Sequence, residues 1–306
     1  MKDLRNPPFV AIFLATYNGE LYLKEQLDSI LSQVGVSVTI YVRDDGSVDS
    51  TISILQSYAE KYKNINILNN DIRAGAAAQN FIEIIKNVDI QKYQYVSFSD
   101  QDDIWIPNKI SKAIDKMNIT MSDGYSSNLT CFDSRIDKEW QLKKDELPTK
   151  FDYLFQGGSA GCTYVISNQL IRKIQERIRV NSSFCNQVVS HDWLIYAIAR
   201  SYDYKWYYDS SSYIKYRQHE NNVQGSLSGM SGYVSRFKRL KSGWYRNAII
   251  SLYPFLLKKP EEARIYKQIS RFSLLDRFSL IVNFTKFRRN KWEAIMLAFI
   301  LILGKM

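Results

Sequence analysis

The sequence predicts an α/β fold: a mostly parallel central sheet flanked by helices, followed by a basic helical extension. Three observations predict it. Short apolar, β-rich runs alternate with helical stretches between Phe9 and Trp105, each run stops in a polar loop, and the charge balance changes sign near residue 236. Strands alternating with helices pair in parallel through right-handed crossovers. Parallel strands bring their C-terminal loops to one sheet edge, where such sheets bind ligands.

The first run, Phe9 to Ala15 (FVAIFLA), stops at Thr16, Tyr17, Asn18 and Gly19, a strand followed by a turn. Leu21, Leu23, Leu27, Ile30, Leu31 and Val34 then fall near helical spacing. Val38 to Val42 is a second strand ending in Asp44, Asp45, Gly46 and Ser47, and Asp49 stands where it could cap a helix carrying Ile52, Ile54, Leu55 and Tyr58. Ile65 to Leu68 is a short third strand; Arg73 and Gly75 lie in the turn after it, before a helix over Ala76 to Lys86. The fourth run, YVSFSDQDDIW from Tyr95 to Trp105, meets Asp100, Asp102 and Asp103, three carboxylates in four residues. Asp-x-Asp at a strand end puts two hard oxygen donors together, which suits Mg²⁺ or Mn²⁺ holding a diphosphate. The plainer reading is an acidic turn capping the helix that starts near Pro107.

The second half is less regular. Leu129 to Asp133 reads as a strand and Lys138 to Asp152 as a charged connection. QGGSAGCTYV, from Gln156, has three glycines in its first six residues, enough for close ligand approach or simply for a turn before a strand. Helices are expected over Gln169 to Ile178 and Asp192 to Arg200, and Asp192 is either a candidate base or an ordinary N-cap. Aromatic Tyr202 to Tyr216 suggests one or two strands, broken at Arg217, Gln218 and His219; Gln224 to Tyr233 is Gly/Ser-rich and reads as mobile.

The terminal stretch, Trp292 to Leu303 (WEAIMLAFILIL), is flanked by Lys286, Arg288, Arg289 and Lys291. A bilayer-spanning helix takes about 20 residues. This shorter, basic-flanked segment is expected to lie on a membrane or to pack on the body.

Composition narrows the function classes. Single cores stop growing at about 250–300 residues, so 306 residues make one large domain or a domain with an appendage. The three cysteines, Cys131, Cys162 and Cys185, form neither a disulfide framework nor a zinc-ligand spacing. From Arg236 onward there are 16 Lys/Arg against 4 Asp/Glu, a net +12 against +10 for the whole chain, so residues 1–235 carry −2. A basic tail on a near-neutral body argues against nucleic acid as partner and for an anionic membrane surface. MKDLRNPPF lacks a charged stretch followed by a long apolar one, so no signal peptide is expected and the body should be cytoplasmic, peripheral to the inner face of a plasma membrane.

TYNG, RDDGS and SDQDD, in this order over Phe9 to Pro107, resemble glycosyltransferase family 2, enzymes of the GT-A fold. GGSAGCTYVIS, SHDW and YRQHENN resemble loops of its bacterial rhamnosyltransferase-like members. The resemblance implies a catalytic domain over 1–233, with donor half 9–118 and acceptor half 119–233, and a membrane-associating region over 234–306. It implies that Thr16, Tyr17, Asn18, Asp45, Arg73, Asp100 and Gln101 bind the nucleotide-sugar. Asp100, Asp102 and His219 would hold Mg²⁺ or Mn²⁺, and Asp192 would be the general base. Trp105, Gly161, Cys162, His191 and Trp193 would lie on the acceptor side. One departure is Gln79 in NDIRAGAAAQN, where the family often has Arg. The implied reaction is inverting transfer of a sugar, L-rhamnose from dTDP-rhamnose or a hexose from a UDP-sugar, to a polyprenyl-diphosphate-linked glycan. A sugar-phosphate nucleotidyltransferase, or a non-catalytic scaffold of the same fold, are the rivals from other classes; oligomeric state has no signal here.

Overall fold

A computed structural model describes residues 7–69, 73–219 and 243–306. The N-terminal part of the sheet is four parallel strands, β1 (Phe9–Thr16), β2 (Ser37–Asp44), β3 (Ile65–Ile67) and β4 (Tyr95–Ser99), in the order β3-β2-β1-β4. Only Phe9 of β1 is exposed, which is why this central strand reads as a nearly continuous apolar run. Between the strands lie α1 (Leu23–Leu31), α2 (Thr51–Lys61) and α3 (Ala77–Asn87). Because side chains alternate across a strand, Val10, Ile12 and Leu14 join α1 and α2 in one core, while Ala11, Phe13 and Ala15 join α3 in the other.

β5 (Ile104–Trp105), α4 (Lys109–Thr120), β6 (Gly124–Asp133), β7 (Lys138–Leu142), β8 (Val165–Ser167), α5 (Asn168–Val180), α6 (His191–Ser201) and β9 (Trp206–Arg217) continue the chain. The sheet extends β4-β8-β6-β9-β5, with β8 antiparallel to both neighbours, β9 parallel to β6, and β7 paired to β6.

Two expectations change. Part of the charged connection after Lys138 is a strand: Asp133 Oδ1 accepts from the Arg135 amide at 3.0 Å, tightening a hairpin whose outer strand tolerates charge because it lies at an edge. The strand expected from Leu129 begins at Gly124, hidden in the sequence because its first residues are polar. Ser126 Oγ accepts from the Trp206 indole at 2.9 Å, and a Cβ at Gly124 would lie 2.2 Å from the Trp206 ring. The Gln224 to Tyr233 stretch lies outside the described residues.

The C-terminal helices are α7 (Trp244–Leu252), α8 (Pro260–Arg271), α9 (Leu274–Val282) and α10 (Lys291–Ile302). Their inner residues Ile249, Phe255, Ile269, Leu280, Leu297 and Leu301 share one core with α3, α5 and α6. Their outer faces leave Phe278 (68%), Trp292 (76%) and Phe299 (60%) exposed. Docking on the body and presenting an apolar surface are therefore properties of two faces of the same helices. Among the described residues, no helix is long and apolar enough to cross a membrane.

Candidate active site

The ends of β1, β2 and β4 meet at one edge, as parallel pairing requires. Asp44 knots two of the loops: it accepts from Thr16 Oγ1 at 2.8 Å, from the Gly46 and Ser47 amides at 3.0 and 2.8 Å, and from Ser47 Oγ at 2.6 Å. Asp45 is thereby turned toward the third loop, accepting from the Ala74 and Gly75 amides at 2.5 and 2.9 Å. Arg73 Nε lies 4.0 Å from Asp45, and its guanidinium sits 4.4 Å from the centre of the exposed Tyr17 ring. Tyr17 and Arg73 thus form an open corner with a ring to stack on, while Asp45 beneath them is buried with both carboxylate oxygens already accepting from backbone amides. Gln79 turns away, donating to Val188 O at 2.6 Å.

Two residues expected on the nucleotide shape the pocket from behind it. Thr16 is buried and bonded to Asp44. Asn18, at positive φ, accepts from the Val48 amide at 2.9 Å and donates its own amide to Ser47 Oγ at 2.8 Å. Gln101 pairs through its amide with both backbone groups of Tyr17, at 2.8 and 3.0 Å, joining the acidic loop to the first.

In that acidic loop Asp102 Oδ2 lies 2.8 Å from His219 Nε2. Burial, then repulsion from Asp102 and Asp192, pushes the Asp100 carboxyl up to about 7. Asp103 lies deeper. It accepts from the Arg217 amide at 3.2 Å, and burial with repulsion from Asp102 and Asp100 pushes its carboxyl well above the usual range. Asp100, Asp103 and Cys162 place ligand atoms within 4.8 Å of one another. None of these carboxylates caps the following helix, whose N-cap is Asn108. Lys109 is buried below, its Nζ 3.3 Å from Ser97 Oγ and 3.5 Å over the Trp105 ring, and burial pushes its ammonium down to about 7.

Asp192 stands in the first turn of α6, whose N-cap is Ser190. Its Oδ1 accepts from the Trp193 amide at 2.7 Å and from Ser190 Oγ, leaving Oδ2 without a partner among the described residues. A serine cap with the carboxylate one turn in frees an oxygen for a substrate. Gly161 crosses in front, and a Cβ there would lie 2.8 Å from His191 Nε2 and 3.1 Å from Asp192 Cβ. The His191 ring stacks on Phe81 at 3.9 Å, its Nε2 is buried without a hydrogen-bond partner among the described residues, and burial pushes its pKa down to about 4.

Three residues expected to face the acceptor point inward. Trp105 is 2% exposed and belongs to the core with α1 and α4. Cys162 is buried over Asp103, and Trp193 donates its indole N–H to Tyr153 O at 2.9 Å. They support the site and offer it no surface.

Arg217 carries a role that its sequence position alone does not reveal. Its Nε donates to Asp102 O at 2.9 Å, its Nη2 pairs with Glu25, and its guanidinium lies 4.4 Å over Tyr22 and 4.6 Å over Phe132. It fixes the acidic loop to the end of β9, two residues before His219. The one signal in the sequence is an isolated cation closing an aromatic strand.

Comparison with known proteins agrees with this geometry. The family model described as glycosyl transferase family 2 matches residues 11–178. The chain is 35% identical over 292 residues to the dTDP-rhamnosyl transferase RfbG of Shigella flexneri, covering 95% of this chain and 99% of that protein. Among solved structures, S. aureus TarS 1-349 in complex with UDP-GlcNAc aligns with a TM-score of 0.57 at 16% identity, over 97% of this chain and 81% of that one. The mannosyltransferase PcManGT from Pyrobaculum calidifontis, in complex with GDP-Man and Mn²⁺, aligns with a TM-score of 0.53 at 14% identity, over 99% and 86%. The fold is the GT-A fold, and the chain belongs to glycosyltransferase family 2.

Proposed function

We propose that this chain is an inverting, divalent-metal-dependent transferase that moves L-rhamnose from dTDP-rhamnose to a polyprenyl-diphosphate-linked glycan during synthesis of a bacterial surface polysaccharide. The observation that carries the sugar is the 35% identity, over nearly all of both chains, to a dTDP-rhamnosyl transferase. Tyr17, Arg73 and Asp45 receive the nucleobase. Asp100, Asp102 and His219 would hold a hard divalent cation: Asp102 already lies 2.8 Å from His219, and the Asp100 carboxyl, raised by burial and then by repulsion from Asp102 and Asp192, gains from a cation that relieves the repulsion, although the ligand atoms that lie within 4.8 Å of one another here are those of Asp100, Asp103 and Cys162. A cation bound there supplies positive charge against the departing nucleoside diphosphate.

Asp192 Oδ2 takes the proton of the acceptor hydroxyl, a role worth about 10²–10⁴ in rate. With Ser190 and the Trp193 amide holding Oδ1, the carboxylate is oriented before substrate arrives. A single base serving a single displacement inverts the anomeric centre.

The exposed apolar face of α9 and α10, on a tail of net +12, is complementary to an anionic membrane where a lipid-linked acceptor resides. Location at the inner face of the plasma membrane follows from that acceptor.

The test is a panel of nucleotide sugars with Mn²⁺ or Mg²⁺, with EDTA as control. dTDP-rhamnose should be hydrolysed slowly and fastest of the panel. Preference for a UDP-sugar would overturn the donor. Asp192→Asn should lower transfer about 10²–10⁴-fold with the melting temperature unchanged; an undiminished rate would remove Asp192 as the base.

A further inference from the structure

The connector between α9 and α10, Asn283 to Asn290, reaches back into the catalytic body. Lys286 O accepts from the Phe151 amide at 2.9 Å and from Thr149 Oγ1 at 2.7 Å. Phe287 stacks on Phe155 at 4.3 Å. Arg288 Nη1 donates to Phe155 O at 2.8 Å, and Arg289 Nη2 donates to Gly157 O at 2.9 Å. Successive connector residues thus grip successive parts of the strap from Thr149 to Gly157.

The strap ends at the active site. A Cβ on Gly157 would lie 3.6 Å from the Cα of Trp193, the residue after Asp192. Immediately beyond, the Gly158 and Ser159 amides both donate to the Tyr164 hydroxyl, at 2.8 and 3.1 Å, and Ser159 Oγ donates to Ser127 O at 2.9 Å. The Gln156 to Gly158 turn is therefore set between Arg289 on one side and the first turn of α6 on the other.

Arg289 is an unusual side chain for that position. It is 4% exposed, its guanidinium lies 5.1 Å from the Tyr208 ring and 5.7 Å from the Tyr196 ring, and its Nε stands 3.7 Å from the fully buried Asp152. Asp152 is already held by Arg200 at 3.1 Å and by the Tyr196 hydroxyl at 2.6 Å. Arg289 Nε and Nη1 have no hydrogen-bond partner among the described residues. Buried donors left unpaired oppose folding, and an apolar side chain of similar length would fill the same space without that penalty. Arg200 already pairs with Asp152, so what the Arg289 guanidinium adds beyond a second charge facing that carboxylate is the bond to Gly157 O.

We propose that Arg289 is a positioning residue of the acceptor subsite: it holds the Gln156–Gly158 turn against the first turn of α6, making the C-terminal layer part of the acceptor wall. The proposal rests on Asp192 being the base that meets the acceptor. The same connector joins the two helices that carry the exposed apolar face, so the surface facing the bilayer and the wall facing the acceptor are rigidly related. A lipid-linked substrate held in that bilayer then meets Asp192 at a fixed height.

The experiment uses the full chain with Arg289→Ala and Arg289→Met; the second keeps a buried stem and stands in if the first fails to fold. Two rates are read: hydrolysis of dTDP-rhamnose without acceptor, and transfer to the lipid-linked glycan fraction that accumulates in cells deleted for this gene. The expected result is an apparent KM for that fraction raised about tenfold, with donor hydrolysis within about twofold of wild type. Amide exchange over residues 156–161 should quicken about tenfold while β1 and β4 stay unchanged. Hydrolysis and transfer falling in the same ratio, or exchange over 156–161 unaltered, would overturn the proposal. Should wild type hydrolyse the donor yet transfer nothing to the lipid fraction, the acceptor assignment fails and the exchange measurement still decides the role of Arg289.

Discussion

His191 allows a quantitative test of how the neighbouring Asp192 carboxylate is kept from pairing with it. Its ring lies against Phe81, its Nε2 is buried beneath Gly161, and its pKa is about 4 against 6.5 for an unperturbed imidazole; burial is the cause, opposed by the neighbouring Asp192 charge. A protonated imidazole here would pair with Asp192, so a neutral ring leaves that carboxylate free for the role of base proposed above. The folded state excludes a proton that the unfolded chain accepts. Stability from this group is therefore fully present above the unfolded value and is lost as pH falls toward the folded one. At about 1.4 kcal/mol per unit, the loss between about pH 7 and pH 4.5 is about 2.5 kcal/mol. His191→Gln places an amide nitrogen near Nε2 without a titrating group. Urea unfolding of both proteins at both pH values isolates the term, since the raised carboxyls of Asp100 and Asp103, which act with opposite sign, cancel in the difference. The variant should lose about 2.5 kcal/mol less than wild type on acidification. Parallel losses, within about 0.5 kcal/mol, would refute the claim that His191 is held neutral.

Arg217→Ala should weaken Mn²⁺ binding in the presence of dTDP about 10–100-fold by calorimetry, because it unpins the Asp102 backbone from β9 and frees Glu25; equal affinity would show that the acidic loop holds itself. Phe278→Glu with Phe299→Glu, both on the exposed face, should abolish sedimentation with anionic liposomes while the melting temperature stays unchanged, and wild-type binding should weaken with salt. Sedimentation that survives both substitutions would move the membrane surface elsewhere. Deleting the chain from Lys286 is no substitute, because it also removes Phe287, Leu297 and Leu301 from the core.

The donor half is legible in the sequence because it obeys one rule repeated. A strand buried on both faces is a continuous apolar run, and its polar stop marks the ligand edge, so the residue pattern alone assigns TYNG, RDDGS and SDQDD to that edge. What the rule does not give is which way each side chain turns. Thr16 and Tyr17 are adjacent, yet one faces Asp44 inside the loop and the other lies open beneath Arg73. Trp105 and Trp193 are expected on the acceptor side by resemblance, but each sits on an element with a core face and takes it. Asp192 is ambiguous between cap and base in the sequence; Ser190 stands at the N-cap, and Asp192 in the first turn uses only one of its oxygens, accepting from the Trp193 amide and from Ser190 Oγ. Arg217 and Glu25 are 192 positions apart, and no local pattern relates them. The polar start of β6 and the charged β7 are hidden for the same reason: burial by side-chain hydrogen bonds and placement at an edge leave no apolar signature.

The electrostatics of the site bear on how a donor can enter it. Asp100, Asp102 and Asp103 crowd one loop with Asp192 nearby, and the pKa of Asp100 is raised partly by Asp102 and Asp192. Two cations beside this loop among the described residues do little to offset this. Lys109 is itself driven toward neutrality by burial, and Arg217 is already committed to Glu25 and to the Asp102 carbonyl. His219 lies beside Asp102, its Nε2 2.8 Å from Asp102 Oδ2. A nucleoside diphosphate brings further negative charge to the same edge, so its binding alone would add to the burial and like-charge repulsion that already push the Asp100 carboxyl up to about 7. Among the described residues positive charge beside the acidic loop is scarce, and a divalent cation bound there would let donor and acidic loop share this edge. That is the physical reason for expecting a divalent cation here, and it makes donor binding in EDTA the condition most sensitive to whether the reasoning is sound.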